Sequence, residues 1–288
     1  MVAKYKLMLC CDLDRTVLPN GMASESPGVR DLFARVVKET GLTLVYVSGR
    51  DIQLLQQAIN DYQIPLPHYA IGDVGTTLYH ITDNSWQAES DWSEHIGEDW
   101  QQRHANTLQH YLDDLPGLKL QEPEKQNIHK LSYYAALEIP EKSIVADIHK
   151  RLDGHQIKAN IIYSIDEIDQ IGLVDILPKR ASKYHAIEFL IERLGYAKAD
   201  TVFAGDSGND LPVLISDIPA VLVNNAQASV KNTARRLADR QGQARQLYLA
   251  RGGFCGLNGN YSAGILEGLA HFHPELRTLI AALISATN

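Results

Sequence analysis

The feature that most constrains this chain is a short apolar run, Tyr5 to Cys11, that ends in carboxylates at Asp12 and Asp14. A nearly continuous apolar stretch of this length suits a strand buried on both faces, as in a parallel sheet. The residues after it agree. Ser26 reads as a helix cap with Pro27 at the first helical position; Val29, Leu32, Phe33, Val36 and Val37 then recur at helical spacing until Gly41 closes the helix. Leu42 to Val47 is a second buried strand, and a further helix begins over Asp51 to Asn60. Strand, helix and strand at this spacing predict a doubly wound, Rossmann-like α/β sheet.

The same pattern returns near Asp175. Lys183 to Leu194 carries Ala186, Ile187, Leu190, Ile191 and Leu194 on one helical face with Gly195 behind it, and Thr201 to Ala204 and Pro219 to Val223 read as strands. In between, the texture changes. All three tryptophans (Trp86, Trp92, Trp100) lie there, with a polar helix through Gln101 to Asp113 and ordered segments at Lys130 to Leu137, Ile144 to Leu152 and Ile157 to Tyr163. The expectation is a core of residues 1–85 and 173–288 with an inserted α+β cap at 86–172. Trp92, Ile96 and Trp100 are four apart, which reads as one packed helix face rather than a sugar-stacking platform.

Composition narrows the partners. A formal charge of −8 over 288 residues argues against nucleic acid or an anionic membrane. No apolar run reaches the ~18 residues needed to cross a bilayer, and the start has no secretory pattern. Cys10, Cys11 and Cys255 offer neither a disulfide framework nor zinc spacing, and the first two read as strand packing. A cytoplasmic monomer acting on a small anionic substrate fits these features.

The chemistry concentrates in four short stretches. Asp12 and Asp14, two apart at the end of a buried strand, repel unless a cation compensates, and magnesium takes such carboxylates together with substrate phosphate oxygens. Ser48-Gly49-Arg50 offers a hydroxyl and backbone amides at a helix entrance, where phosphate is readily held; Ser48 could equally be a plain helix cap. Lys183 stands at a helix start, where its charge opposes the macrodipole. Gly205-Asp206-Ser207-Gly208-Asn209-Asp210 ends a strand and supplies two more carboxylates. All four fall at strand carboxyl ends or the helix starts beyond them, where open α/β sheets bind ligands.

Asp12-Leu-Asp-Arg-Thr16, Ser48-Gly-Arg50, Lys183 and Gly205 to Asp210 resemble the four ordered motifs of the haloacid dehalogenase superfamily. The insertion resembles the α/β cap of some members. Asp175-Ile-Leu-Pro178, Ser182-Lys183, His129-Lys-Leu-Ser-Tyr133 and Ala263-Gly-Ile-Leu-Glu-Gly268 are similar to sucrose-phosphate phosphatases and their relatives.

This resemblance implies a magnesium-dependent phosphatase in which Asp12 attacks phosphorus and Asp14 is acid and then base. Asp12, the Asp14 backbone carbonyl and Asp206 would hold magnesium, with Asp210 behind them; Thr16, Ser48 and Lys183 would bind phosphoryl oxygens, and Asn209 would orient the cluster. Gly49 and Arg50 would face the phosphate, Arg180 could reach it or the sugar, and Lys130, Ser132 and Tyr133 of the cap would select the sugar. Sucrose 6-phosphate or a similar disaccharide phosphate is the expected substrate. Asp166 to Gly172 lacks the glycine-lysine-aspartate turn of a sucrose-specific relative, and Asp73 adds charge to another substrate-facing loop. Mannosylfructose, mannosylglycerate or hexose phosphates would fit the core equally. A phosphosugar mutase would need a cap arginine cluster, and the insertion holds only Arg103 and Arg151.

Overall fold

The computed structural model describes residues 5–83, 85–166 and 169–285. The chain begins as β1 (Met8–Asp12), α1 (Val29–Thr40), β2 (Thr43–Val47), α2 (Ile52–Tyr62), β3 (Tyr69–Gly72), β4 (Thr77–Thr82) and β5 (Ser85–Ala88). A middle stretch comes next: α3 (Ser90–Gly97), α4 (Ala105–His110), β6 (Leu118–Leu120), β7 (Leu131–Ala135), α5 (Glu141–Gly154), β8 (Ala159–Asp166) and β9 (Ile171–Pro178). It ends with α6 (Lys183–Leu194), β10 (Thr201–Gly205), α7 (Leu211–Leu214), β11 (Ala220–Leu222), α8 (Ala228–Arg240), β12 (Leu247–Leu249), α9 (Ser262–Phe272) and α10 (Pro274–Ser285).

The chain packs as two compact units, Met1–Gly72 with Tyr79–Gln87 and Ile187–Asn288, and Asp73–Leu78 with Ala88–Ala186. The first carries an eight-stranded sheet in the order β12-β11-β10-β1-β2-β3-β4-β5, in which β12, β11, β10, β1, β2 and β3 run parallel. This is the expected α/β class. The chain leaves β1 toward β2 and β3 and later returns to its other side at β10. Strand order therefore reverses at β1, and the carboxyl ends of β1 and β10 border the crevice that such a reversal opens. Every residue of β1 and β10 is buried, which accounts for their unbroken apolar character. Val29, Leu32, Phe33, Val36 and Val37 of α1 bury the predicted face in the core that also takes in α9 and α10. Burial pushes the Cys10 and Cys11 thiols up, so both are inert packing groups.

The α1 start differs from its sequence reading. Gly28, at φ 70°, occupies the cap and Val29 opens the helix, while the Ser26 hydroxyl accepts from the Asn258 backbone N–H at 3.0 Å. A long-range hydrogen bond has taken the hydroxyl that local reasoning assigned to the cap.

The second unit carries a four-stranded sheet in the order β6-β7-β9-β8, antiparallel throughout. Trp92 and Trp100 are buried in this unit but do not share one helix face, because Trp92 and Ile96 lie on α3 and Trp100 in the 3₁₀ turn Glu98–Trp100 that follows it; Trp86 instead lies on β5, packed edge-on against Tyr79 of the first core. The polar helix expected over Gln101 to Asp113 shortens to α4. The second sheet runs through β9 to Pro178, beyond the return at 173 suggested by texture, because its ladder pairs β9 with both β7 and β8. Between β3 and β4 the chain passes through three residues of positive φ, Asp73, Val74 and Gly75. A Cβ at Gly75 would lie 2.9 Å from the Ser182 backbone, so only glycine fits that approach. Of the Asp166 to Gly172 segment, Glu167 and Ile168 lie outside the described residues.

Candidate active site

Asp12 is the last residue of β1, in register with Val47 of β2, and Cys11 pairs with Ala204 of β10. The register places Asp206, just past β10, beside the end of β1. Asp12, Asp206 and Asp210 are 7%, 5% and 0% exposed. One carboxylate oxygen of each can be chosen so that all lie within 4.8 Å of one another. Three like charges this close and this buried are unfavourable by themselves, and an all-oxygen donor set of that kind fits a hard divalent cation.

Local chemistry fixes each group. After β1 the backbone curls so that the N–H groups of Thr16, Val17 and Leu18 all point to the Leu13 carbonyl, and the buried Thr16 hydroxyl donates to Asp12 at 3.3 Å. Asp210 folds back over its own turn, accepting from the backbone N–H groups of Asp206 and Ser207 at 3.0 Å each and from the Ser207 hydroxyl at 3.2 Å. A Cβ at Gly205 would lie 2.5 Å from the Asp210 carboxylate, so glycine is required there. Asn209 is exposed in the same turn.

Asp14 stands apart from this trio. Its carboxylate accepts a fork from Arg50, at 2.9 Å from Nε and 2.6 Å from Nη2, and a third bond from Asn20 Nδ2 at 2.7 Å. The hydrogen bond to Asp14 holds the Arg50 guanidinium above its ordinary value. Ser48 is not the cap of α2. Asp51 fills that role, accepting from the Leu54 N–H at 2.9 Å, and the buried Ser48 hydroxyl accepts from the Arg50 N–H at 3.2 Å. The helix-cap reading of Ser48 therefore falls. Gly49 is exposed beside it. Lys183 is half-buried at the first position of α6, whose first turn groups with the second unit and whose remainder groups with the first.

The sequence reading missed Arg15 and Asn20. Arg15 sits at φ 58° with its Nε 3.3 Å from Asp206, and its carbonyl accepts from Asn225 at 2.6 Å. Asn20 accepts from the Arg15 N–H at 2.8 Å while donating to Asp14. Arg15 lies inside the first motif and was visible as a charge; nothing local marked Asn20.

In the second unit the three expected sugar contacts do not form one surface. Tyr133, 4% exposed, faces the apolar core with Leu131, Ala135, Ile148 and Val174, whereas Ser132 faces the opposite side and donates to Asp175 at 2.5 Å. Successive strand residues point to opposite faces, so the pair cannot act together. Lys130 is half-buried in the turn before β7. Arg180 is committed too, to Asp99 at 3.2 Å and Glu98 at 2.8 Å. Arg151 forks Asp114 and Arg103 packs over Tyr111, which leaves neither insertion arginine in a phosphate cluster.

Residues 5–273 match the family model of sucrose-6F-phosphate phosphohydrolase. A HAD-like hydrolase of Nitrosococcus oceani is 56% identical over 275 residues, 95% of this chain and 74% of the relative. A mannosylfructose-phosphate phosphatase of Agrobacterium fabrum is 29% identical, covering 80% of this chain and 87% of that protein. A probable sucrose-phosphatase of Arabidopsis thaliana is also 29% identical, covering 77% of this chain and 51% of the relative. The crystal structure of sucrose-phosphatase from Synechocystis sp. PCC6803, in complex with sucrose and phosphate, superposes with a TM-score of 0.68 at 24% identity, covering 93% of this chain and 98% of that one, a likeness of fold. The chain belongs to the sucrose-6F-phosphate phosphohydrolase family, within the haloacid dehalogenase superfamily, and is a phosphatase.

Proposed function

We propose that this phosphatase hydrolyses a sugar phosphate, sucrose 6-phosphate or a similar disaccharide phosphate, through an aspartyl-phosphate on Asp12 and with Mg²⁺ as cofactor. The observation that carries the reading is the convergence of the buried Asp12, Asp206 and Asp210 carboxylates at the ends of two adjacent parallel strands. Asp12, Asp206 and Asp210 are the residues that would hold the ion, together with the Asp14 carbonyl. The ion would supply charge neutralisation at the transferring phosphoryl group.

The residues divide the remaining work. The Asp12 carboxylate attacks phosphorus as the P–O bond to the sugar breaks, giving a covalent intermediate that splits one difficult displacement into two. Asp14 gives its proton to the departing sugar oxygen. It then takes a proton from the water that attacks the aspartyl-phosphate, restoring Asp12 and releasing phosphate. Such acid–base help is typically worth ~10²–10⁴-fold. The Arg50 fork and Asn20 favour ionised Asp14, the form suited to the second step. The first step needs the proton, so Arg50 must loosen its hold, and an incoming phosphate is the anion that competes for it. Ser48, Gly49, Thr16 and Lys183 would complete the phosphate contacts, with Asn209 orienting the cluster. Lys130 is the cap residue retained as a sugar contact.

The two 29% relatives are named for different sugars, so identity does not separate the substrates. Phosphate release from sucrose 6-phosphate, mannosylfructose phosphate, glucose 6-phosphate and an aryl phosphate, each with magnesium, tests the reading. A disaccharide phosphate should give the highest kcat/KM. Preference for glucose 6-phosphate or the aryl phosphate would overturn the disaccharide assignment.

A further inference from the structure

The first unit gathers positive charge at one place away from the acidic site. A cavity of about 550 Å³ opens at the free edge of the eight-stranded sheet, along β12. Arg235 and Asp239 reach it from α8, Arg245 from the turn before β12, Tyr248 from β12, Arg251 from just after it and His271 from the end of α9. The protein carries a formal charge of −8, yet this wall sets three guanidinia against the single Asp239 carboxylate. Among the described residues none of the three guanidinia forms an ion pair.

The wall is braced from behind. Tyr248 donates to Glu267 at 2.8 Å, and Glu267 also accepts from the backbone N–H groups of Arg251 at 3.0 Å and Gly252 at 2.9 Å. The buried carboxylate thus fixes the phenol and the chain leading out of Arg251. The Tyr248 ring stacks on His271 with centroids 4.2 Å apart. A volume within the ~300–1,000 Å³ range of small-molecule sites, a fixed aromatic wall and unpaired guanidinia together define a recognisable chemistry. The planar guanidinium matches phosphate oxygens in pairs.

We propose that this cavity is a second phosphate-binding site, distinct from the Asp12 site, that takes a small phosphorylated molecule with its anionic group on Arg235, Arg245 and Arg251. Three sources share that chemistry: inorganic phosphate, a sugar phosphate or a nucleoside diphosphate. The aromatic wall would add affinity for the ring-bearing two.

Calorimetric titration of the full chain with inorganic phosphate, glucose 6-phosphate and uridine diphosphate tests it, with Asp12→Asn as background to prevent turnover. At least one probe should bind the parent at a site that Arg235→Gln/Arg245→Gln/Arg251→Gln removes or weakens by about tenfold or more, the weight of a lost charged hydrogen bond. The identity of that probe selects the source. All three arginines are exposed, so the melting temperature should be unchanged, and the same triple substitution in the active protein should leave aryl phosphate hydrolysis intact. Equal affinity and stoichiometry in parent and triple variant for all three probes would overturn the proposal. So would the finding that the charge reversal Arg245→Glu leaves every titration unaltered.

Discussion

Two regions of this molecule bury polar groups, and they do so in opposite ways. In the second unit several buried polar groups turn toward a partner of another kind, while Trp100 Nε1, His129 Nδ1 and Tyr133 Oη are buried without one among the described residues. Ser132 meets Asp175, the Gln121 amide donates to the Tyr133 carbonyl at 2.9 Å, and His129 faces the Ser93 hydroxyl at 2.9 Å. At the ends of β1 and β10, three carboxylates of one sign converge instead. Pairing stabilises a fold, whereas convergence of like charge costs stability and persists where a ligand uses it. Substitutions at Asp12 and Asp206 should therefore damage activity more than stability, substitutions among the paired groups should do the reverse, and Asp210, which also holds its turn through three hydrogen bonds, should show both losses.

The sharpest contrast lies at Asp12 and Asp206. Asp12→Asn keeps the shape and loses the nucleophile, and turnover should fall on the order of 10⁴-fold or more. Asp206→Asn should abolish magnesium-dependent activity and, without metal, melt higher than the native protein, because relief of the repulsion outweighs loss of the ion pair to the half-exposed Arg15. Magnesium should raise the melting temperature of the native chain on the order of 5 °C and leave that of Asp206→Asn unmoved. Loss of stability in metal-free Asp206→Asn would break the comparison.

Arg50→Met comes next. Asp14 loses its fork and its orientation, and kcat should fall about ten- to a hundredfold. Removing a neighbouring cation favours the protonated carboxyl, so the acid limb of the pH–rate profile should move to higher pH. A fall in kcat with an unmoved acid limb would mean that Arg50 serves the phosphate alone.

In the second unit, Ser132→Ala should cost about 1–3 kcal/mol in urea unfolding, the penalty for stranding a buried partner, with kcat/KM unchanged. His129 supplies the mildest test. Burial, followed by the nearby His104, lowers its pKa from 6.5 to about 4. Between those values the unfolded chain takes a proton that the folded chain refuses, so stability should be lost as pH falls from about 6.5 to about 4. His129→Gln should lack this component of the unfolding curve measured across that window. An identical pH dependence in the variant would assign the loss to other groups.

How much of this was legible in the sequence depended on range. The buried strands, the helical faces of α1 and α6 and the four motifs come from local pattern, because burial on two faces leaves an unbroken apolar run. What escaped was set by distant partners. Ser26 was drawn to Asn258, Arg180 to Asp99 and Glu98, and Asp14 to Arg50. Trp86 joined the first core through Tyr79. The opposition of Ser132 and Tyr133 was a different kind of miss. Strand alternation alone separates neighbours, and their grouping ignored that period.

The central claim is that Asp12 forms a covalent bond to phosphorus. Asp14→Asn lacks the base for the second step, so the intermediate should accumulate when this variant meets a phosphorylated substrate and magnesium. Borohydride quenching reduces an acyl phosphate to the alcohol, and peptide mass spectrometry then locates the altered residue. The account predicts homoserine at position 12, dependent on substrate and absent from the Asp12→Asn/Asp14→Asn double variant. Reduction at another carboxylate, or none at position 12 in a variant that still releases phosphate, would contradict it.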